Sequence, residues 1–348
     1  MAPKAGTTPR RSLREFALIE TLRRRHGRAN HSIVRGIGDD AAVVASPSGR
    51  ELVLTTDLLA ERIHFDLATA TLEDIGYKAA IANLSDIAAM GARPEYLLVA
   101  LAVPSSFRAS HIFRLYQGLM LACRPYRVAL VGGDTSASAQ GLFVSLTVTG
   151  SVPTGRALLR SGARVGDLLY VTGTLGDSLA GLRLLSHPRE APRLPAAAKR
   201  FLIARHRRPI AHCRLGELLS RQRLATAAMD VSDGLSGDIR HLCDQSRVGA
   251  EIHAGALPCS PQMRAYAAIC RTDPAVLALQ GGEDYELLFT VPPTKALALH
   301  RLAKLPGRRF TCIGTIRPNR FGIRLRSREG KLRRLPSTSY VHFSGRAD

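Results

Sequence analysis

The 348-residue chain has no apolar run approaching the roughly 20 residues a membrane-spanning helix needs, so no span is expected. No signal-peptide pattern opens it. Tryptophan is absent and aromatic residues make up only 5% of the chain, so basic residues are not interleaved with aromatics as in a single-strand nucleic-acid binder. Six cysteines, Cys123, Cys213, Cys243, Cys259, Cys270 and Cys312, contain no C-x-x-C pair and no histidine at zinc spacing. They read as reduced thiols of a cytoplasmic protein, not as a zinc or disulfide framework. Nothing matches the Walker A loop, the protein-kinase signatures or the G-x-S-x-G elbow. Gly36-Ile37-Gly38 lacks the third glycine and following helix of a dinucleotide fingerprint.

Acidic residues are also scarce: 28 Asp and Glu stand against 49 Lys and Arg, a formal charge of +21. Such a charge raises polyanions as partners. The excess is scattered, however, and a general arginine bias explains it better than a nucleic-acid surface. The length suits two domains, divided near Pro153-Thr154-Gly155 into 12–152 and 153–348. Residues 1–11 are polar and basic, the composition of a disordered arm.

Ser12-Leu13-Arg14-Glu15 is a capping-box pattern that predicts a helix over 12–25. Strands are expected at 32–35, 41–44 and 51–55, the last two joined as a hairpin by Ser46-Pro47-Ser48-Gly49. A long helix at 72–90, ended by Gly91 and Pro94, carries Asn83 and Asp86 on one small-residue face. Further strands are expected at 96–103, 128–131, 142–151, 168–172, 225–231, 287–291 and 309–316, and helices at 109–122, 175–185, 210–221 and 235–246. The connection before Pro209 is Pro- and Arg-rich. This alternation predicts an α/β (α+β) architecture.

In so basic a chain the placement of aspartate stands out. Apolar runs end in Asp at Gly36-Ile37-Gly38-Asp39-Asp40, Thr55-Thr56-Asp57, Val131-Gly132-Gly133-Asp134 and Met229-Asp230-Val231-Ser232-Asp233-Gly234. One such Asp is ordinarily a turn or cap residue. Several arriving together, with Asp86, form an oxygen-donor set suited to Mg2+ bridging to phosphates. The neighbouring glycines would let backbone N–H groups approach phosphate oxygens.

The motifs G-I-G-D-D (36–40), T-T-D (55–57), K-A-A-I-A-N-L-S-D-I-A-A-M-G-A-R-P (78–94), V-G-G-D-T (131–135), L-L-R-S-G-A (158–163), V-T-G-T-L-G-D-S (171–178), M-D-V-S-D-G-L (229–235) and G-G-E-D-Y-E-L (281–287) resemble those of the thiamine-monophosphate kinase family. That family belongs with aminoimidazole ribonucleotide synthetase and selenophosphate synthetase. The resemblance runs from about residue 15 to 343. It implies ATP-dependent phosphorylation of thiamine monophosphate, several Mg2+ ions, and a homodimer whose N-terminal sheets pair into a barrel beside α/β C-terminal domains. By motif match, Asp40, Thr55, Thr56, Asp57, Asp86, Asp134, Asp230 and Asp233 are the implied magnesium ligands. Tyr116, Gly133, Asp134, Arg160 and Ser232 would contact ATP, and His64, Glu283 and Tyr340 the substrate. The acceptor is itself an anionic phosphate, so no strong general base is required; positioning and charge neutralisation carry the reaction. Val341 departs from the aspartate often found beside the family tyrosine.

Two other readings are open. The first cysteine, Cys123, comes too late for selenophosphate synthetase, and Thr56-Asp57-Leu58-Leu59 replaces the glycine-rich segment of aminoimidazole ribonucleotide synthetase. A basic nucleic-acid-binding protein that kept the fold is the alternative of another class. Intact acidic motifs oppose it, because they repel a phosphate backbone.

Overall fold

The computed structural model describes residues Glu20, Arg24, 32–46, 49–303, 309–336 and Tyr340. The expected arm, most of the expected first helix and Val341 lie outside the described residues. Alternating apolar positions build the first sheet. Its strands are β1 (Ile33–Arg35), β2 (Ala42–Ala45), β3 (Arg50–Ala60), β4 (Arg93–Pro104), β5 (Ala129–Ser138) and β6 (Phe143–Pro153), ordered β1-β2-β3-β6-β4-β5. All neighbours are antiparallel except β4 and β5. Period-two alternation sends Val53, Leu59, Leu97, Val99, Val144 and Leu146 to one buried face. Helices α1 (Leu72–Ala89) and α2 (Ala109–Cys123) accompany this sheet.

The Thr71 hydroxyl caps α1 by accepting from the Asp74 N–H at 3.2 Å. Gly91, at φ +67°, follows its last turn. The two helices approach so closely that a Cβ on Gly118 would stand 1.8 Å from the Glu73 carbonyl oxygen, and one on Gly76 2.0 Å from that of Leu115. Almost every residue of α1 is buried. A helix apolar all round belongs inside a protein, and the polar side chains it still carries must meet something there.

The second sheet explains what encloses α1. Strands β7 (Leu168–Thr172), β8 (Ala227–Val231), β9 (Val248–His253), β10 (Glu286–Val291), β11 (Phe310–Pro318), β12 (Ile323–Arg326) and β13 (Leu332–Arg334) run in the order β13-β12-β9-β11-β7-β10-β8. Seven helices lie in this half of the chain among the described residues: α3 (Asp177–Ser186), α4 (Ala196–Arg207), α5 (Cys213–Arg221), which packs back against α1, α6 (Leu235–Ser246), α7 (Pro261–Ile269), α8 (Pro274–Gln280) and α9 (Ala296–Ala303). Strands β8 and β10 are buried throughout. Met229 and Leu288 join the core of the second domain, whereas Ala228, Leu287 and Phe289 join the core around α1. Thus α1 is packed between two sheets.

Three expectations need correction. Asp57 does not end its strand: β3 continues through Leu58, Leu59 and Ala60, whose alternation extends the pairing with β6. Asp134 likewise lies inside β5, opposite Ala100. The connector before Pro209 contains α4, because Pro195 is followed by the strong helix formers Ala196-Ala197-Ala198-Lys199-Arg200. Elements β9, α7, α8, α9, β12 and β13 have no counterpart in the sequence-based expectation.

Candidate active site

The Gly-Asp-Asp turn after β1 meets the C-terminal half of the chain directly. Asp39 Oδ2 lies 2.9 Å from Arg35 Nε as an ion pair, and Asp39 Oδ1 accepts from the Arg160 backbone N–H at 3.2 Å. Burial first, and then repulsion by Asp40, push the Asp39 carboxyl up to about 6, although Arg35 and Arg160 oppose this. Asp40 Oδ1 holds Arg160 Nη2 at 2.5 Å, while its Oδ2 is buried without a hydrogen-bond partner. Gln245 on α6 fastens the same turn, accepting from Arg35 at 2.6 Å and donating to the Gly38 carbonyl at 2.9 Å.

Asp86 on α1 and Asp230 on β8 face Asp40. One carboxylate oxygen from each of the three lies within 4.8 Å of the others. Thr55 Oγ1 donates to Asp86 at 2.5 Å, and Ser85 Oγ donates to Asp230 at 2.7 Å. Desolvation by burial raises Asp57 to about 6. It raises Asp230 to about 8, with repulsion from Asp40 and Asp57 adding to it while Ser85 and Arg160 oppose it. The same burial, then repulsion from Asp57, Asp230 and Asp40, holds the Asp86 carboxyl well above its usual range. A divalent cation would reverse all three effects. The donors are hard oxygens, one of them orphaned, and their chemistry fits Mg2+.

Asp57, Asp86 and Asp230 open into a cavity of about 960 Å3 between the domains. Ser232, Asp233, His64, Glu283 and Tyr340 also line it, so it gathers both halves of the chain. The loop after β3 fixes His64: Nδ1 accepts from the Ala60 N–H at 3.0 Å, which leaves Nε2 to carry the proton of the neutral ring. The Tyr340 N–H donates to the Asp233 carbonyl at 3.1 Å.

Four expected residues lie elsewhere. Thr56 alternates to the outer face of β3, where its hydroxyl donates to the Leu146 carbonyl at 2.9 Å. Gly133 and Asp134 lie on exposed β5, two strands beyond the β6 partner of β3. Tyr116 packs half-buried against the first core and does not line the cavity. Asn83 does not share the direction of Asp86; it folds back onto the Ala79 carbonyl at 3.1 Å. The face of α1 that reaches the cavity is the stripe Asp74-Lys78-Ala82-Asp86, at successive i, i+4 positions, with Ile75 beside it.

That stripe reveals what sequence reasoning missed. Lys78 Nζ reaches Glu283 at 2.6 Å, and His206 Nδ1 lies 3.5 Å from the same carboxylate. Lysine at helical spacing from Asp86 was a readable signal. Neither His206 nor Ser85 gave one.

The model of the AIR synthase related protein N-terminal domain matches residues 38–152, and that of the C-terminal domain matches 164–325. A thiamine-monophosphate kinase of Haemophilus influenzae is 39% identical, covering 87% of this chain and 89% of the relative. Another, from Escherichia coli, is 39% identical over 95% and 98%. A solved structure described as "AaThiL complexed with AMPPCP and TMP" superposes with TM-score 0.83 at 34% identity, covering 97% of this chain and 100% of the other. The chain therefore belongs to the AIR synthase related family, among its thiamine-monophosphate kinases.

Proposed function

We propose that this chain transfers the γ-phosphoryl group of ATP to thiamine monophosphate, giving thiamine diphosphate. The observation that carries the reading is the convergence of Asp40, Asp86 and Asp230 beside a cavity of about 960 Å3, roomy enough for a substrate that carries both a phosphate and rings. Asp57 and Asp233 lie along the same wall. These carboxylates, with the Thr55 hydroxyl, would hold Mg2+, which would neutralise the charge gathered between acceptor and donor phosphates. Arg160 is the chain's own cation at that cluster, and Ser232 offers a donor beside it. His64, Glu283 and Tyr340 lie where the rings would rest. No side chain is required to remove a proton, because the acceptor phosphate is already ionised near neutrality. Purified protein with ATP and Mg2+ should release ADP on addition of thiamine monophosphate and not of thiamine. Absence of that difference overturns the reading.

We further propose that two copies pair through the outer face of the first sheet. Leu58, Tyr96 and Leu98 are exposed on that face, and Leu130 and Val131 on the adjoining edge strand. Exposed β5 presents an unblunted sheet edge, a feature that soluble proteins ordinarily cover. In such a pair Thr56, Gly133 and Asp134 meet the second copy, and any part they take in ATP or metal binding belongs to the assembled dimer. Leu98→Asp should halve the mass seen by light scattering and lower activity. A wild-type monomer with full activity would refute this.

A further inference from the structure

Glu283 is held in an unusual way. Its backbone is left-handed at φ +58°, as is that of Tyr285 at +54°, so two non-glycine residues of one short segment adopt a disfavoured conformation. The Glu283 N–H donates to the Ser232 carbonyl at 2.7 Å, and the Tyr285 N–H to that of Val231 at 3.0 Å, tying the segment to the end of β8. The intervening Asp284 turns the other way, accepting from the backbone of Gly176 and Ser178 at the start of α3. This turn leaves Glu283 aimed into the cavity, where the only aliphatic ammonium among the lining residues, Lys78, crosses from the other domain to meet it.

We propose that Lys78 is a positioning residue for Glu283: it holds that carboxylate ionised and turned into the ring end of the cavity, and so sets selectivity for a cationic, hydrogen-bond-donating heterocycle. This rests on the kinase reading above. Lys78 is only 4% exposed, so its charge needs a partner, and 2.6 Å is an ion-pair hydrogen bond. Its place on α1 argues against a direct role at the phosphates. It precedes Asp86 by about 12 Å of helix, and helical side chains lean toward the N-terminus, away from the acidic cluster.

The groups that face Glu283 are few. From α4 comes His206, with Arg207 behind it; from the loop after β3 comes His64; from its own segment comes Tyr285. Burial, followed by repulsion from Lys78, pushes His206 down to about 4, so it is neutral near pH 7. Ser178 Oγ and Glu283 both meet its Nδ1, at 3.0 and 3.5 Å, so the three do not form a nucleophile–base relay. Lys78 is therefore the permanent cation of the group. Burial alone would push the Glu283 carboxyl up; the Lys78 ammonium is the largest opposing influence, and the carboxyl lies below the usual range.

The test compares Lys78→Met, Lys78→Arg and Lys78→Met combined with Glu283→Gln, with KM for thiamine monophosphate measured from about pH 7 to 9, above the second ionisation of the ester's own phosphate at about pH 6. In Lys78→Met, KM should acquire a titration that the wild type lacks, rising by up to about tenfold per pH unit as pH falls. KM for ATP should stay unchanged, kcat should change by no more than about threefold, and Lys78→Arg should restore the flat profile. The double variant should bind weakly at every pH. A flat profile in Lys78→Met, or a new titration in Lys78→Arg, overturns the proposal. Calorimetry with thiamine and thiamine monophosphate separates two failures. Wild type that binds the phosphate ester without turnover refutes the kinase reading and leaves Lys78 to be judged by binding. Loss in Lys78→Met of affinity for the ester but not for thiamine assigns the ammonium to phosphate and refutes the proposal.

Discussion

Asp230→Asn and Asp86→Asn should each lower kcat by about a thousandfold or more while making the metal-free protein harder to melt. Loss of turnover follows because each removes one carboxylate from a three-oxygen cluster that must neutralise converging phosphates. The gain in stability has the same origin. Asp230 is 3% exposed and crowded by Asp40, so its ionised form is unfavourable until a cation arrives. Asparagine keeps an acceptor for Ser85 and removes the charge. Steady-state rates and thermal melts in chelator, read on the same preparations, check both halves. Near-normal turnover in either variant would remove the cluster from the active site. A lower melting temperature together with lost activity would reduce the result to misfolding.

The second large effect is a pH-dependent requirement for the divalent ion. In the metal-free protein the Asp57 carboxyl stands at about 6 and that of Asp230 at about 8, while Asp86 is displaced in the same direction. Each folded value lies above that of the unfolded chain. Their favourable contribution is therefore complete below about pH 4 and is lost as pH rises through the folded values. Between about pH 6 and 8.5, chelator-treated protein should lose at least about 5 °C in melting temperature from these groups, and Mg2+ should restore more of it at the higher pH. The wild type without chelator, saturated with Mg2+, should vary much less. If Mg2+ stabilises the protein equally at pH 6 and pH 8.5, the carboxylates are not its ligands.

Some of this was legible in the residues themselves. An unbroken small-residue helix carrying Asp86 could only be buried, and Gly91 with Pro94 marked its end; α1 runs over Leu72–Ala89 as the pattern required. Short apolar runs reaching Asp40 and Asp230 announced buried carboxylates that needed a cation. Period-two alternation also declared two faces for the T-T-D strand, which puts Thr55 and Asp57 on one and Thr56 on the other. Alternation does not say which face is covered, because that depends on where α1 and α2 return.

The shared function of Asp39 and Asp40 illustrates the remainder. Two adjacent carboxylates could be recognised as needing compensation from sequence alone. That Arg35 and the Arg160 backbone serve Asp39, while Asp40 takes the Arg160 guanidinium and turns to Asp86 and Asp230, depends on the C-terminal domain closing against β1. The Lys78–Glu283 pair lies further beyond sequence. Nothing local binds a lysine on α1 to a glutamate in a strained segment before β10, and only the packing of α1 against the second sheet brings them to 2.6 Å. The sequence by itself determined the chemistry available: hard oxygen donors, small residues around them and an anion-binding purpose. Tertiary structure alone decided which donors meet, because a buried charge takes the partners that long-range packing places within reach.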